Sequence, residues 1–545
     1  MNKLLKEIKD TLFPKLIRLG VDENIEFSIS KLPDWDLQIN FLIKYKNKKE
    51  FKNLSKVIIS VLVSTNYFRE IELNEIGFIN LKINHKHLSS VITNNQKDFQ
   101  VSNPLKIIID YGGPNLGKPL HVGHIRTLNI GRSLYNMNKF IGNAIVSDLH
   151  LGDWGMPIAQ ILCYLEINNE STENITFNEL QSVYPKASLE YSNSQEFKIK
   201  AQEINKLLNS EDANYISQWK KIKKVSINNL KENFVLLNHQ FDYWYGESDV
   251  NALIKPMLED LKKNRKIVED DNALISSEDT EPRVLITKSD GSYLYITTDL
   301  ATTLFRQNNI PYKKALYVVD KRQSLHFQQL FSSIRYFGFN DNQHEHIAYG
   351  TMNDKNGNPF KTRDGETKPL KELFDETYNY IKTINPSLNE SNLLNLTNSV
   401  LSFSDLLTNR ITDYKFDLEK FTNISGKTGV YIQYAQVRAQ KLAKHLSDVE
   451  PVFSEQISDN DKKLLTKLFL FGIYLDQSIA LNEPHHLANY LYDICNLFNV
   501  FYEEEKLSGI IDQSKLSTKL YLLDLFITTC HNTMFCLGIT PVEEM

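Results

Sequence analysis

Residues 111–124 read "YGGPNLGKPLHVGH", directly after the apolar run "LKIIID". Gly112, Gly117 and Lys118 are spaced as in a phosphate-gripping P-loop. That loop needs Ser or Thr after the lysine, because the hydroxyl coordinates Mg²⁺, and here Pro119 follows. Proline suits a helix start, where its fixed φ fits and its missing N–H costs nothing. The spacing therefore predicts a helix beginning near Pro119, with His121 and His124 three apart on one face of its first turns. Gly123 between them lets a flat ring lie against the backbone. Two imidazoles near the positive end of a helix dipole suit an ATP attacked at its α-phosphate, because they donate hydrogen bonds to the charge building there. The stretch is a nucleotide device of a different kind from the P-loop.

Working outward, "LKIIIDY", "NAIVSD", "RVLITK", "YLYITT", "KALYVVD" and "EHIAYG" are short apolar runs, several followed by helical periodicity. That βα alternation predicts a mostly parallel, Rossmann-type sheet over residues 101–375. A mainly helical insertion at about 161–270 interrupts it. Residues 1–100 read as a small α+β unit, in which "DLQINFLI" and "GFINLKI" alternate as strands do around a lysine-rich "KYKNKKEFKNLSK". From 376 to 545 long helical periodicities predict an all-α bundle.

The totals bound the class. At 545 residues, three or four domains fit. A hydrophobic share of 41% and a charged share of 24% describe an ordinary soluble globular chain. No apolar run is long enough to span a membrane. The amphipathic N-terminus lacks the unbroken apolar stretch of a signal peptide, so a cytoplasmic protein is expected. Cys163, Cys495, Cys530 and Cys536 form no CxxC pair, which points to buried free thiols and excludes a zinc or disulfide framework. A net charge of −5 does not announce a nucleic-acid binder, yet a weakly acidic total can carry basic faces.

At these residues the chain resembles a known family. "PLHVGH" is similar to the HIGH signature of class I aminoacyl-tRNA synthetases. "DYGGPNLGKPLHVGHIRT" followed by "DLHLGDWG" resembles arginyl-tRNA synthetases in particular. "FDYWYGESD", "TKSDGSYLYITTDLATTLFR", "YVVDKRQSLHFQQ", "YGTMNDKNGNPFKTRDG", "KTGVYIQYAQVRAQ" and "EPHHLANYLYDICNLFNVFYEE" follow in the family's order. The resemblance covers nearly the whole chain and is weakest in its first hundred and last ten residues.

The resemblance implies an arginine–tRNA ligase. Its substrates are L-arginine, ATP carrying its own Mg²⁺, and tRNA(Arg), with no zinc or other protein-held metal and no tightly bound organic cofactor. A monomer with no membrane partner is expected. Arginine's planar cation calls for carboxylates with aromatic and amide neighbours. Asp110, Asn115, Tyr295, Asp299 and Gln323 stand where the family places that pocket. Tyr295 alone would read as a strand-core aromatic, and Asp299 alone as a helix N-cap. By resemblance, Pro114, His121, Gly123, His124, Asp320, Met352 and Lys361 line the ATP site. His121, His124, Lys118, Lys361 and Arg363 serve the reaction itself. The KMSKS loop usual in the class is missing. "PFKTRDG" takes its place, and Lys118 covers for the absent second lysine in the family's manner.

Tyr431, Tyr434, Arg438 and Lys441, joined by Lys444 or His445, set cations beside aromatics on one helix, which suits a single-stranded tRNA loop as well as it suits a bundle helix with a basic face. The resemblance makes residues 376–545 an anticodon-binding domain and residues 1–100 an appended domain touching the outer corner of the tRNA. The end, "PVEEM", has an acid where the family often has a base. Two rivals are a nucleotidylyltransferase or another synthetase on the same HxGH fold, and a silent paralogue that only binds RNA. The first lacks an explanation for the arginine pocket set, and the second would be expected to lose His121, His124 or the carboxylates.

Overall fold

A computed structural model of the chain describes residues 3–88, 92–277, 283–289, 292–360, 367–446, 448–453, 457–504 and 509–545. The first unit contains α1 (Lys3–Arg18), β1 (Phe27–Ile29), β2 (Leu37–Ile39), α2 (Phe51–Ser64), β3 (Phe68–Leu73), β4 (Ile79–Ile83) and the short α3 (His85–Leu88). Its antiparallel sheet has the order β1-β2-β4-β3. Leu5, Ile8, Leu12 and Leu16 of α1 and Leu54, Ile58, Val61 and Leu62 of α2 bury helical stripes against it. The strand expected in "DLQINFLI" stops at Ile39, because Phe41 and Leu42 are both buried and the chain coils into a 3₁₀ turn to place them.

The central part runs β5 (Lys106–Tyr111), α4 (His124–Phe140), β6 (Ala144–Asp148), α5 (Met156–Ile167), α6 (Phe177–Asn193), α7 (Gln195–Asn209), α8 (Ala213–Leu236), α9 (Glu247–Lys263), β7 (Ile267–Asp270), β8 (Ala273–Ser276), β9 (Leu285–Thr287), α10 (Tyr295–Asn309), β10 (Lys314–Val318), α11 (Ser324–Phe337) and β11 (Gln343–His346). The parallel sheet has the order β11-β10-β5-β6. The chain steps from β5 to β6 on one side, then returns to β10 on the other. The strand order therefore reverses between β5 and β10, and in such sheets the crevice at the carboxyl ends of those strands is the ligand site. The helices α5 to α8 pack around a core of their own, with Leu162, Leu180, Phe197 and Ile204 at its centre. The chain rejoins the sheet where Tyr243 pairs with Asp148 and Gly246 with Leu151. From there α9 packs on α10 in the same core as Ile108 of β5.

Two of the six expected strands take other roles. "RVLITK" supplies β9, but in a separate antiparallel sheet, β7-β8-β9. "YLYITT" is helical from Tyr295 onward. Ile296, Leu300 and Ala301 are its buried apolar positions, a helical spacing that the β-branched "ITT" conceals.

The remainder contains β12 (Met352–Asn353), α12 (Leu370–Ile384), α13 (Glu390–Leu406), β13 (Tyr414–Lys415), α14 (Leu418–Phe421), α15 (Gly429–His445), α16 (Asp459–Phe469), α17 (Phe471–Ala480), α18 (His485–Glu504) and α19 (Gln513–Cys536). These helices form the expected bundle, and α13, α17 and α19 also pack on α4. Every residue of α4 from Ile125 to Leu134 is buried, including Arg126, Asn129, Arg132 and Ser133. The four cysteines are buried free thiols. Among the described residues no helix is long and apolar enough to cross a membrane.

The buried polar groups of α4 are the joint between sheet and bundle. Arg126 donates to Asp405 Oδ1 of α13 at 3.0 Å and to the Arg410 carbonyl at 2.6 Å. Arg132 donates to the carbonyls of Leu237 and Asn238 and to Ser402 Oγ at 2.8–3.0 Å. Burial without a carboxylate partner pulls Arg132 down to about 10. Asp405→Leu strands the Arg126 cation, so it is expected to cost about 3–5 kcal/mol in denaturant unfolding, whereas Arg126→Met with Asp405→Leu recovers most of that.

Candidate active site

The loop after β5 does not become a helix at Pro119. Leu120 and Val122 bond instead to residues 368–370, through Val122 N to Lys368 O at 3.0 Å and Leu370 N to Leu120 O at 2.8 Å. That pairing uses the backbone groups a helix would need, so α4 starts only at His124, with Gly123 as its cap. His121 lies in the extended segment, yet the two rings still meet, with centroids 4.0 Å apart. A Cβ on Gly123 would sit 2.9 Å from the His121 ring, so the flat ring that this glycine admits is the neighbouring imidazole.

The backbone fixes the His121 tautomer, whereas His124 Nδ1 lies against both the N–H and, at 3.2 Å, the carbonyl of His121. Gly123 N–H donates to His121 Nδ1 at 3.1 Å, and His121 N–H donates to His124 Nδ1 at 3.0 Å. A neutral imidazole with an accepting Nδ1 carries its proton on Nε2. Burial first, then Lys118 and Arg322, lowers His121 to about 4. Burial first, then His121, lowers His124 to about 3. At neutral pH the pair is thus uncharged, and His121 presents an Nε2–H donor at the carboxyl end of β5.

The neighbouring loop is held by backbone pairing across to the segment after β6. Pro114 is buried and its carbonyl accepts from Gly152 N at 3.0 Å. Asn115 lies across Gly152, where a Cβ would fall 2.0 Å from Asn115 Oδ1, so a larger residue there would push the Asn115 side chain aside. Lys118 is exposed, with its ammonium over the ring of Tyr184 from α6. Asp320 caps the turn after β10 and takes Arg322 in a bidentate pair of 2.9 and 2.8 Å. Gln323 ends that turn and caps α11. Met352 is only 5% exposed, its side chain belonging to the core. Lys361 and Arg363 lie outside the described residues. The flanks of that stretch are tied together, Lys368 N to Phe360 O at 3.3 Å, beside Val122.

The carboxylates form two groups. Asp110 faces Arg306 of α10, whose guanidinium donates to Asp110 Oδ2 at 2.6 Å and to Asp148 Oδ2 at 2.7 Å. This buried cation joins the ends of β5 and β6 and lies over the Tyr317 ring of β10. Asp299 is inside α10 and not at its cap, which is Leu294. It bonds His326 Nε2 at 2.6 Å, and Tyr295, one turn earlier, is 75% exposed and no strand-core aromatic. Near Asp299 lies Glu247, the first residue of α9, pushed up to about 8 by burial, then by Asp153 and Asp299. The structure thus sets Asp299 beside Glu247 and His326, with Tyr295 one turn earlier, whereas Asp110 already has a cation.

Comparison with known proteins follows the same division. Residues 87–418 match the family described as "tRNA synthetases class I (R), catalytic domain", and residues 432–545 match the DALR anticodon binding domain. A protein of Francisella tularensis subsp. tularensis named Arginine–tRNA ligase is 32% identical over 531 residues, covering 91% of each chain. One of the same name from Alkaliphilus oremlandii is 33% identical, covering 91% of this chain and 92% of its own. The chain belongs to the arginyl-tRNA synthetase family. The crystal structure of arginyl-tRNA synthetase from Plasmodium falciparum shares the fold, with a TM-score of 0.81 and full coverage of both chains at 23% identity.

In this synthetase fold the four residues expected to meet tRNA share α15, in the bundle. The Tyr431 hydroxyl accepts from Asn499 at 2.9 Å, and Arg438 is sandwiched between the rings of Tyr434 and Tyr502. Lys441 is exposed. Sequence reasoning missed Glu247, Arg306 and Tyr184. Glu247 had a signal in the acids of "YGESD", but Arg306 and Tyr184 look like ordinary helix residues until the fold closes.

The depressed histidines also set an acid dependence. Between about pH 6.5 and 4 the unfolded chain takes up protons that the folded pair refuses, so folding stability rises with pH across that window. Replacing both with Asn is expected to flatten that part of the slope, as read by denaturant unfolding at pH 5 and pH 7.

Proposed function

We propose that this member of the family joins L-arginine to tRNA(Arg) through the residues around the β5–β10 crevice. The arginine carboxylate attacks the α-phosphorus of ATP, giving arginyl-adenylate and releasing pyrophosphate. The 2′-hydroxyl of the terminal adenosine of the tRNA then attacks the carbonyl carbon, and AMP leaves. The observation that carries this reading is the uncharged imidazole pair of His121 and His124, with an Nε2–H donor fixed at His121. Such a donor favours charge gathering on phosphate and needs no reorganisation as it forms. Mg²⁺ arrives with the ATP and meets the phosphates without an all-protein cage.

Lys118 serves as a cation for the pyrophosphate side, joined by Lys361 and Arg363, since their stretch begins and ends beside Val122. Pro114, Gly123 and Asp320 border the nucleotide, and Met352 meets it through its backbone. Asp299, Glu247 and Tyr295 take the arginine guanidinium, and Asn115 and Gln323 orient its other end. Asp110 acts as half of the Arg306 pair, shaping the pocket floor. The α15 face grips the tRNA anticodon loop through Lys441, Arg438 and the two tyrosines. Residues 376–545 form the anticodon domain, residues 101–375 the catalytic domain, and residues 1–100 meet the outer corner of the tRNA. The family resemblance supports a cytoplasmic monomer.

Arginine-dependent ATP–pyrophosphate exchange with cognate tRNA present tests the assignment. His121→Ala is expected to lower it about 10²–10³-fold, and Asp299→Ala to abolish arginine specificity. Tight tRNA binding with no exchange for any amino acid would leave only the silent RNA-binding paralogue. The Glu247 carboxyl gives a second readout. A guanidinium arriving between it and Asp299 favours its ionised form, so arginine binding at pH 7 should release a proton. Calorimetry in two buffers of different ionisation heat measures this release, and Glu247→Gln should remove it.

A further inference from the structure

The turn between α17 and α18 brings together a second set of coordinating groups. Asn482 adopts a φ of 51°, and Glu483 N bonds back to Ser478 O at 2.9 Å. That turn aims the Glu483 carboxylate over the first turn of α18. Adjacent helical residues normally diverge, yet the His485 and His486 rings lie with centroids 4.0 Å apart. His486 Nε2 is 3.1 Å from Glu483 Oε2, and His485 Nδ1 is 3.8 Å from the same oxygen. One ligand atom from each residue lies within 4.8 Å of the others.

Three facts go beyond a simple histidine–carboxylate contact. His485 Nδ1 is buried and has no hydrogen-bond partner, which in a folded protein requires an explanation. In a tetrahedral zinc site with bonds of about 2.0–2.1 Å, neighbouring ligand atoms lie about 3.3 Å apart, and the two observed separations straddle that spacing. Glu483 Oε1 also accepts from Asn409 Nδ2 at 3.2 Å, the kind of outer contact that orients a metal-binding carboxylate.

The nearest opposing cation is Arg410. It donates to the carbonyls of Asn482 and Ala348 at 3.0 and 2.6 Å, and Glu345 offsets its charge as well as Glu483 does. The three candidate ligands keep 18–24% of their side-chain surface, so an ion can enter and water can complete its shell.

We propose that Glu483, His485 and His486 bind one zinc-class divalent ion, with a fourth position open to water. Two imidazoles and one carboxylate select Zn²⁺, Co²⁺, Ni²⁺ or Cu²⁺ over the oxygen-loving Mg²⁺ and Ca²⁺. The site is separate from ATP-borne Mg²⁺, since none of its residues touches the His121–His124 loop. Because Asn409 and Arg410 tie this turn to the edge of the catalytic sheet, the ion pins the start of α18 to that edge.

The test uses the full chain without a polyhistidine tag, stripped with chelator. Addition of Co²⁺ should give visible ligand-field bands that saturate at one equivalent and vanish when Zn²⁺ is added. X-ray absorption of the Zn²⁺-loaded wild-type chain should show two imidazole ligands, a readout that no variant's folding can disturb. His485→Asn, His486→Gln and Glu483→Gln should each weaken Zn²⁺ at least tenfold in competition with a chromophoric chelator, while circular dichroism stays unchanged. Absence of stoichiometric binding at millimolar Zn²⁺, or binding that survives all three substitutions, overturns the proposal.

Discussion

The fold hangs on a helix that has no solvent-facing side over its first ten or so residues. α4 lies between the parallel sheet and the helical bundle, and its polar residues are buried with its apolar ones. A buried ion pair is poor evidence of stability in itself, because desolvating both charges roughly cancels their attraction. What it provides is geometry. Arg126 fits only if Asp405 and the Arg410 carbonyl are in place, and Arg132 only if the end of α8, Ser402 and Asn129 all converge. Repacking with apolar side chains could hold α4 as firmly but would not fix its axial position so tightly. That position places His124, and through it the orientation of His121.

The crevice at the strand-order reversal has a deliberate charge arrangement. Of the acids around it, Asp110 and Asp148 share the one guanidinium of Arg306 from within the protein. Among the described residues Asp299 pairs with a histidine, and Glu247 stays largely protonated because it is buried and then because Asp153 and Asp299 lie near it. The site is therefore short of positive charge at one end and offers uncharged imidazole N–H groups at the other. A ligand that is cationic at its side chain and reacts at its carboxylate matches both ends.

Much of this was legible in the sequence, and the failures have physical causes. Pro119 excluded a P-loop by chemistry, and the two imidazoles do meet, though from an extended segment and a helix start and not along the helical face that the spacing predicted. The helix start was misplaced because the competitor for the backbone of Leu120 and Val122 is a segment almost 250 residues away, which local reasoning cannot see. "YLYITT" misled because β-branched residues at a helix start mimic a strand. Asp299 read as a cap because a capping sequence and an i, i+4 pocket pair use the same letters. Arg306 has no local signature at all. Its role exists only once β5, β6 and α10 are adjacent. Likewise, a search for cysteine and histidine spacing passes over Glu483, His485 and His486, since adjacent histidines on a helix should point apart.

The wrapping of α4 also has a consequence for how the chain is made. Ser133 Oγ donates to the Cys536 carbonyl, a partner 403 residues further along, and a Cβ on Gly538 would overlap the Arg132 side chain. At ordinary synthesis rates of about 5–20 residues per second, that partner leaves the ribosome roughly 20–80 s after α4 does. Throughout that interval the helix that begins at His124 lacks the cover that α19 gives one of its flanks. A nascent chain of this kind cannot finish its catalytic half first and add the bundle afterwards. A chain cut short before α19 leaves that flank of α4 without its partner.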